Sequence, residues 1–214
     1  MNRVPRINVK ICGLTRAEDV QAAVEAGANA LGFVFTASPR RITIDKAVRL
    51  LGYVPKGVLR VGLFLNQDRF EIDQVLRSVH LDVLQFHGSE NQPECNVYGI
   101  PWLKAVAMES SQSVAQAEAD YPDAMGLLLD SHVKDRQGGS GKSFDWSLVR
   151  SVTKPVWLAG GLNANNVKQA VHTIRPFAVD VSSGVESAPG IKDAGRMTEF
   201  IRAVREVEHE LSMT

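Results

Sequence analysis

The chain has 214 residues, 44% hydrophobic and 22% charged, enough for one sizeable core at the small end of the α/β-barrel range. Lysine plus arginine and aspartate plus glutamate number 24 each, and this neutral balance argues against a whole-surface nucleic-acid binder. No apolar run approaches the roughly 20 residues that span a bilayer, so no membrane partner is expected.

The segment 1–9 is polar, holds two arginines and lacks the apolar centre of a signal peptide, so a cytoplasmic location is expected. A strand is predicted over 8–12 and a helix after it, with Thr15 and Glu18 spaced as a capping box and Gly27 as the stop. Strand two covers 30–35, and helix two covers 44–51 with Ala47, Val48 and Leu51 on one face. Strand three covers 58–65, helix three 68–79 and strand four 83–86. The next segment, 89–98, is a weak helix interrupted by Pro93. Strand five is 102–106, helix five 111–119, and strand six 124–129 runs into Asp130. A polar, glycine-rich loop over 131–143 precedes a short helix at 145–152. Strand seven is 156–159, Asn163 caps a helix running to 173, strand eight is 178–181, and the last helix covers 193–210.

Eight strand–helix units therefore follow one another at roughly 25-residue spacing. Strands apolar on both faces belong to a parallel sheet covered by helices. Residues 1–214 read as a single-domain α/β fold, a parallel eight-stranded (β/α)8 TIM barrel, with an open doubly wound sheet as the alternative. No linker or composition break marks a second domain.

In such a barrel, chemistry sits at the C-terminal ends of the strands. Cys12 ends strand one and precedes a glycine, so its sulfur is expected to face the mouth. A free cysteine is often a small apolar filler. At a strand end, beside Lys10 or a helix N-terminus, a thiolate would be favoured and could abstract a proton. Asp130 closes an apolar run. It could cap a turn, or, partly desolvated, hold a proton to donate. Gly160 and Gly161 after strand seven, with Ser182, Ser183 and Gly184 after strand eight, could merely make tight turns. They also form the pair of loops that holds phosphate in this fold, through bare amides and helix dipoles. Arg40 and Arg41 follow strand two. Arginines there are usually solvated, but beside such a pocket one could clamp a carboxylate bidentately.

Other features carry less. The run from Gly138 to Ser143 looks like a P-loop but has Arg136 where the pattern needs glycine. His80, His87, His132, His172 and His209 show no metal-ligand spacing, and His87 reads as a hydrogen-bonded strand-end residue. The two cysteines, Cys12 and Cys95, form no metal or redox motif, and Cys95 is given no role. Trp102, Trp146 and Trp157 read as packing.

Several motifs now stand in order along the chain. They are Lys10-Ile11-Cys12-Gly13 with Thr15, Gly32-Phe33-Val34-Phe35, Ser38-Pro39-Arg40, and Gln85 with His87-Gly88. There follow Leu129-Asp130, Gly138-Gly139-Ser140-Gly141 with Phe144-Asp145-Trp146, and Leu158-Ala159-Gly160-Gly161-Leu162. Last comes Asp180-Val181-Ser182-Ser183-Gly184-Val185-Glu186 with Gly190, Lys192 and Asp193. Together, over nearly the whole chain, they resemble the phosphoribosylanthranilate isomerase family. Phe86 and Ser140 depart from the family's more usual leucine and threonine, and Phe86 is expected to alter packing beneath the mouth.

The resemblance implies a (β/α)8 barrel in tryptophan biosynthesis, without metal or organic cofactor. The implied reaction is an Amadori rearrangement of N-(5-phosphoribosyl)anthranilate to 1-(o-carboxyphenylamino)-1-deoxyribulose 5-phosphate. By motif, Cys12 is the general base and Asp130 the general acid. Arg40 is the carboxylate clamp, Asp180 a sugar contact, and the glycine loops are the phosphate cradle. The implied partner is a small phosphorylated substrate, bound by a monomer or homodimer. Two rivals are another phosphosugar barrel enzyme and a silent phosphate-binding barrel. An indole-glycerol-phosphate synthase would need a strand-end lysine and glutamate set not found here, and a histidine-pathway isomerase would carry aspartates at strands one and five, whereas strand one here ends in Cys12.

Overall fold

The computed structural model describes residues 6–131 and 143–213. Eight parallel strands form a closed barrel in sequence order. They are β1 (Asn8–Cys12), β2 (Ala30–Val34), β3 (Leu59–Phe64), β4 (Val83–Phe86), β5 (Trp102–Ala107), β6 (Gly126–Asp130), β7 (Val156–Leu158) and β8 (Ala178–Val181). Pairing of β1 with β8, Lys10 beside Asp180, closes the cylinder and excludes the open sheet.

Around it lie α1 (Ala17–Ala26), α2 (Ile44–Leu51), α3 (Arg69–Ser78), α4 (Gln92–Asn96), α5 (Gln112–Asp120), α6 (Val167–Ile174) and α7 (Ala194–Ser212). A short hairpin, β9 (Glu186–Ala188) with β10 (Ile191–Lys192), separates β8 from α7. Among the described residues, no helix is long and apolar enough to cross a membrane.

Side chains alternate across each strand, so every second residue points inward. Outward strand residues such as Val9, Ile11, Leu31, Phe33 and Leu84, with Phe200 of α7, build the large core between barrel and helices. Inward residues Ala30, Val61, Val83, Leu103, Leu128, Trp157 and Ala178 fill the lower barrel. Above them, inward polar residues replace apolar ones, and that switch separates the packed interior from the site.

Several local expectations give way to tertiary contacts. The Thr15–Glu18 capping box does not form: the N-cap of α1 is Arg16, without a side-chain cap. Thr15 Oγ1 instead donates to the Gly190 carbonyl at 2.6 Å, joining the loop after β1 to the hairpin. Gly27 does end α1, in the left-handed conformation. Helix α2 buries Ala47, Leu50 and Leu51, while Val48 is 47% exposed.

Pro93 starts α4 rather than breaking it, because its missing N–H costs nothing in a first turn. Asn91 and Glu94 cap that turn reciprocally. Only a 3-10 turn, Trp146–Leu148, stands where a helix was expected after β6. Helix α6 begins at Val167, not beside Asn163, whose side chain accepts from the Asn165 amide in the preceding turn. Phe86 faces outward, stacked on Tyr98, tilted against Phe64 and edge-on to Trp102, so it packs between barrel and helices rather than beneath the mouth. The glycine-rich run 138–141, with Lys142, His132 and Ser140, lies outside the described residues.

Cys12 and Cys95 are both free and buried. Burial lifts the Cys95 thiol from its ordinary 9.0 to about 12. A thiol raised on folding stabilises the fold below its unfolded pKa, and that contribution is lost as pH climbs through the folded value. We expect Cys95→Ala to cost stability at neutral pH through lost packing, but to lose less than the parent between about pH 9 and 12. Urea denaturation at several pH values measures this; parallel decline of the two proteins would contradict it.

Candidate active site

The last inward positions of the strands, with the loops that follow, line one pocket at the C-terminal mouth of the barrel. Cys12, Arg40, Asp130, Gly160, Gly161, Asp180, Ser182, Ser183 and Gly184 all line it. Residues far apart in sequence therefore meet in one place. Val34, Leu63, Leu65 and Leu162 add an apolar wall, which suits an aromatic ring.

Cys12 sits where it does because Gly32 stands beside it across the β1–β2 ladder. A Cβ on Gly32 would lie 2.7 Å from Cys12 Sγ and 3.0 Å from its Cα. Gly32→Ala is therefore expected to displace the sulfur and lower kcat by about 10²-fold, the usual cost of an ångström's misplacement. Steady-state kinetics would report it, and an unchanged kcat would show that the sulfur's position is not critical.

One layer below Cys12, Lys10 is fully buried. Its ammonium donates to Gln85 Oε1 at 2.8 Å and to Asp180 Oδ2 at 2.9 Å. The expectation that Lys10 would favour the thiolate is outweighed. Burial pushes the Cys12 thiol up, Lys10 and Lys192 pull it down, Asp180 pushes it up again, and the net shift is upward. In the free protein Cys12 is a thiol at neutral pH. For Lys10, burial works against the ammonium, but Asp180 and Cys12 overcome it and its pKa is raised.

Asp130 ends β6 with its carboxyl in the pocket. His87 Nε2 approaches Asp130 Oδ2 at 3.5 Å, and Ser131 Oγ lies 3.4 Å from Oδ1. Asp180 Oδ1 is buried with no partner among the described residues. A buried acceptor left open in a pocket awaits a donor from a ligand.

Arg40 is almost buried, and Glu186 of β9 holds it. Its Nε and Nη2 donate to the two Glu186 oxygens at 2.8 and 2.7 Å. Glu186 also accepts from Lys192 Nζ at 2.8 Å. Burial alone would raise the Glu186 carboxyl, but Arg40 and Lys192 outweigh it and leave it below its ordinary value. The guanidinium is held along its Nε–Nη2 side, and among the described residues its Nη1 has no hydrogen-bond partner, which leaves that end to take a second carboxylate.

The two glycine loops adjoin. Gly160 and Gly161 have φ of 81° and 64°, which side-chain-bearing residues rarely adopt. The turn Ser183–Val185 follows β8 directly, and α7 starts only after the hairpin. The N–H groups of Gly161 and Ser183 make no backbone hydrogen bond among the described residues. Any helix-end contribution thus comes from this short turn, a recurrent phosphate site in barrels.

Sequence reasoning gave no role to Gln85, Glu186 or Lys192 and only a bland one to His87. Alternation was the available signal for two of them: once Cys12 and Asp130 are set inward, Gln85 and His87 are the inward pair of β4 and the loop after it. No local pattern marks the ion pairs of Glu186.

The family model for N-(5'phosphoribosyl)anthranilate (PRA) isomerase matches residues 9–203 of the chain. The chain belongs to the phosphoribosylanthranilate isomerase family. An isomerase of this family from Pseudomonas putida (strain W619) is 49% identical over 202 residues, spanning 94% of this chain and 98% of that one. The phosphoribosylanthranilate isomerase of Thermotoga maritima superposes with a TM-score of 0.85 at 40% identity, over 94% of this chain and 99% of its own. A further phosphoribosylanthranilate isomerase structure, solved in complex with reduced 1-(o-carboxyphenylamino)-1-deoxyribulose 5-phosphate, superposes at 0.81 with 38% identity, over 94% and 99%.

Proposed function

We propose that this chain isomerises N-(5'-phosphoribosyl)anthranilate to 1-(o-carboxyphenylamino)-1-deoxyribulose 5-phosphate, a step of tryptophan biosynthesis, with Cys12 as general base and Asp130 as general acid. The observation that carries the reading is the meeting of a strand-end thiol, a strand-end carboxyl, an arginine and two bare-amide loops in one pocket.

Asp130 gives its proton to the furanose ring oxygen, and the bond from that oxygen to the anomeric carbon breaks. The nitrogen lone pair forms an iminium, whose positive charge acidifies the neighbouring carbon. The Cys12 thiolate takes that carbon's hydrogen as a proton, and the bonding pair becomes the double bond of an enolamine. Loss of the enol proton and gain of one at the former anomeric carbon give the ketone, so the reaction is proton-neutral overall. The iminium next to Cys12 lowers the cost of its thiolate, which burial otherwise raises.

The remaining residues hold the substrate still. Asp180 Oδ1 accepts from a sugar hydroxyl, which completes its missing bond. The Gly160–Gly161 and Ser182–Gly184 loops take the phosphate, and the open end of Arg40 takes the anthranilate carboxylate. All these groups come from one chain, so a monomer or a homodimer carries complete sites. Residues 1–214 act as one domain in this reading, and the enzyme works in the cytoplasm.

Loss of substrate fluorescence on adding the protein to freshly made phosphoribosylanthranilate tests the reading; no loss at micromolar enzyme would refute it. Arg40→Ala should raise KM about ten- to hundredfold, the worth of a charge-assisted hydrogen bond, and leave kcat within a few-fold. An unchanged KM would remove the clamp from the scheme.

A further inference from the structure

Gln85 and His87 connect the buried Lys10 to Asp130. Lys10 Nζ is a donor only, so the atom of Gln85 facing it at 2.8 Å is the carbonyl Oε1. The Gln85 amide is thereby fixed, since flipping it would turn N–H groups toward an ammonium. Its Nε2 faces His87 Nδ1 at 3.3 Å. An amide nitrogen has no lone pair to offer, so Nδ1 is the acceptor. A neutral His87 ring then carries its proton on Nε2, the nitrogen 3.5 Å from Asp130 Oδ2. The usual ambiguity of amide and imidazole assignment is resolved by one buried cation.

We propose that His87 is a positioning residue for the general acid, locked by Lys10 and Gln85 in the tautomer that presents Nε2–H to Asp130. As Asp130 releases its proton to the ring oxygen, charge grows on its carboxylate. A donor already aimed at Oδ2 stabilises that charge without reorganising. The 3.5 Å separation is long for a hydrogen bond, as such contacts often are before substrate tightens them. The role rests on Asp130 being the acid; the tautomer does not.

Nitrogen-15 NMR of the imidazoles in the whole protein reads the tautomer directly. The His87 ring is expected to be protonated at Nε2 in the parent, and to lose that preference in Gln85→Leu. A proton on Nδ1 in the parent, or an unaltered tautomer in Gln85→Leu, overturns the lock. For the role, His87→Ala should lower kcat about tenfold or more, with KM within twofold, and His87→Gln should restore part of it through its amide N–H. A His87→Ala enzyme with full kcat overturns the role. If Asp130→Asn also keeps full kcat, the acid assignment fails while the NMR result stands on its own.

Discussion

Cys12→Ala is expected to lower kcat by about 10²–10⁴-fold, the contribution of a positioned general base, with the fold intact and the phosphate still bound. The side chain is buried and small, and alanine leaves only a small void, so the loss reports chemistry. Binding of the reduced product analogue and an unchanged thermal transition would separate the two. The electrostatics add a signature. Because burial holds the thiol above its ordinary value, the thiolate is a minor species at neutral pH. Raising the pH populates it but also removes the proton that Asp130 must donate, so kcat/KM should follow the product of the two populations. A high pKa also makes the thiolate a stronger base, which offsets its scarcity. Near-normal turnover in Cys12→Ala would remove Cys12 from the base role.

Asp130→Asn should be similarly severe, about 10²–10⁴-fold in kcat, because the amide keeps the shape and cannot deliver a proton to the ring oxygen. Its distinguishing mark is the step that stalls. Without the acid the furanose does not open, so no iminium forms and Cys12 has no acidified hydrogen to take. The Cys12→Ala, Asp130→Asn double variant should then lose far less than the product of the two single losses, as groups acting in one sequence do. Multiplicative losses would mean that the two residues act independently. A variant retaining more than a tenth of the parent's kcat would point to another acid in the pocket.

How far the sequence foretells the structure depends on where each signal resides. Strands β1, β4 and β8 and helix α2 are predicted to the residue, since short apolar runs bounded by polar turns mark them locally. Cys12 and Asp130 are legible as pocket residues for the same reason: each is a titratable side chain that ends an apolar strand. Contacts across the mouth are not legible. The Thr15 hydroxyl has a sequence neighbour that could cap a helix, yet it bonds Gly190. The β9–β10 hairpin is tied down by Glu186, which pairs with Lys192 and with Arg40, whose position only the closed barrel sets. The upward shift of the Cys12 thiol is not legible either, because desolvation depends on how many atoms surround the sulfur, which no spacing reveals.

The lower barrel is stoppered by Trp157 and its apolar neighbours. The pocket is therefore a cup with a floor, and a reactant and its product would share one entrance. A product molecule must leave before the next reactant can enter, so departure can cap the turnover rate however fast the proton transfers become. Among the described residues no passage along the barrel axis could hand the product to a following enzyme. Any such hand-over has to happen across the rim, where the loops after β2 and β8 already stand tied together by Arg40 and Glu186.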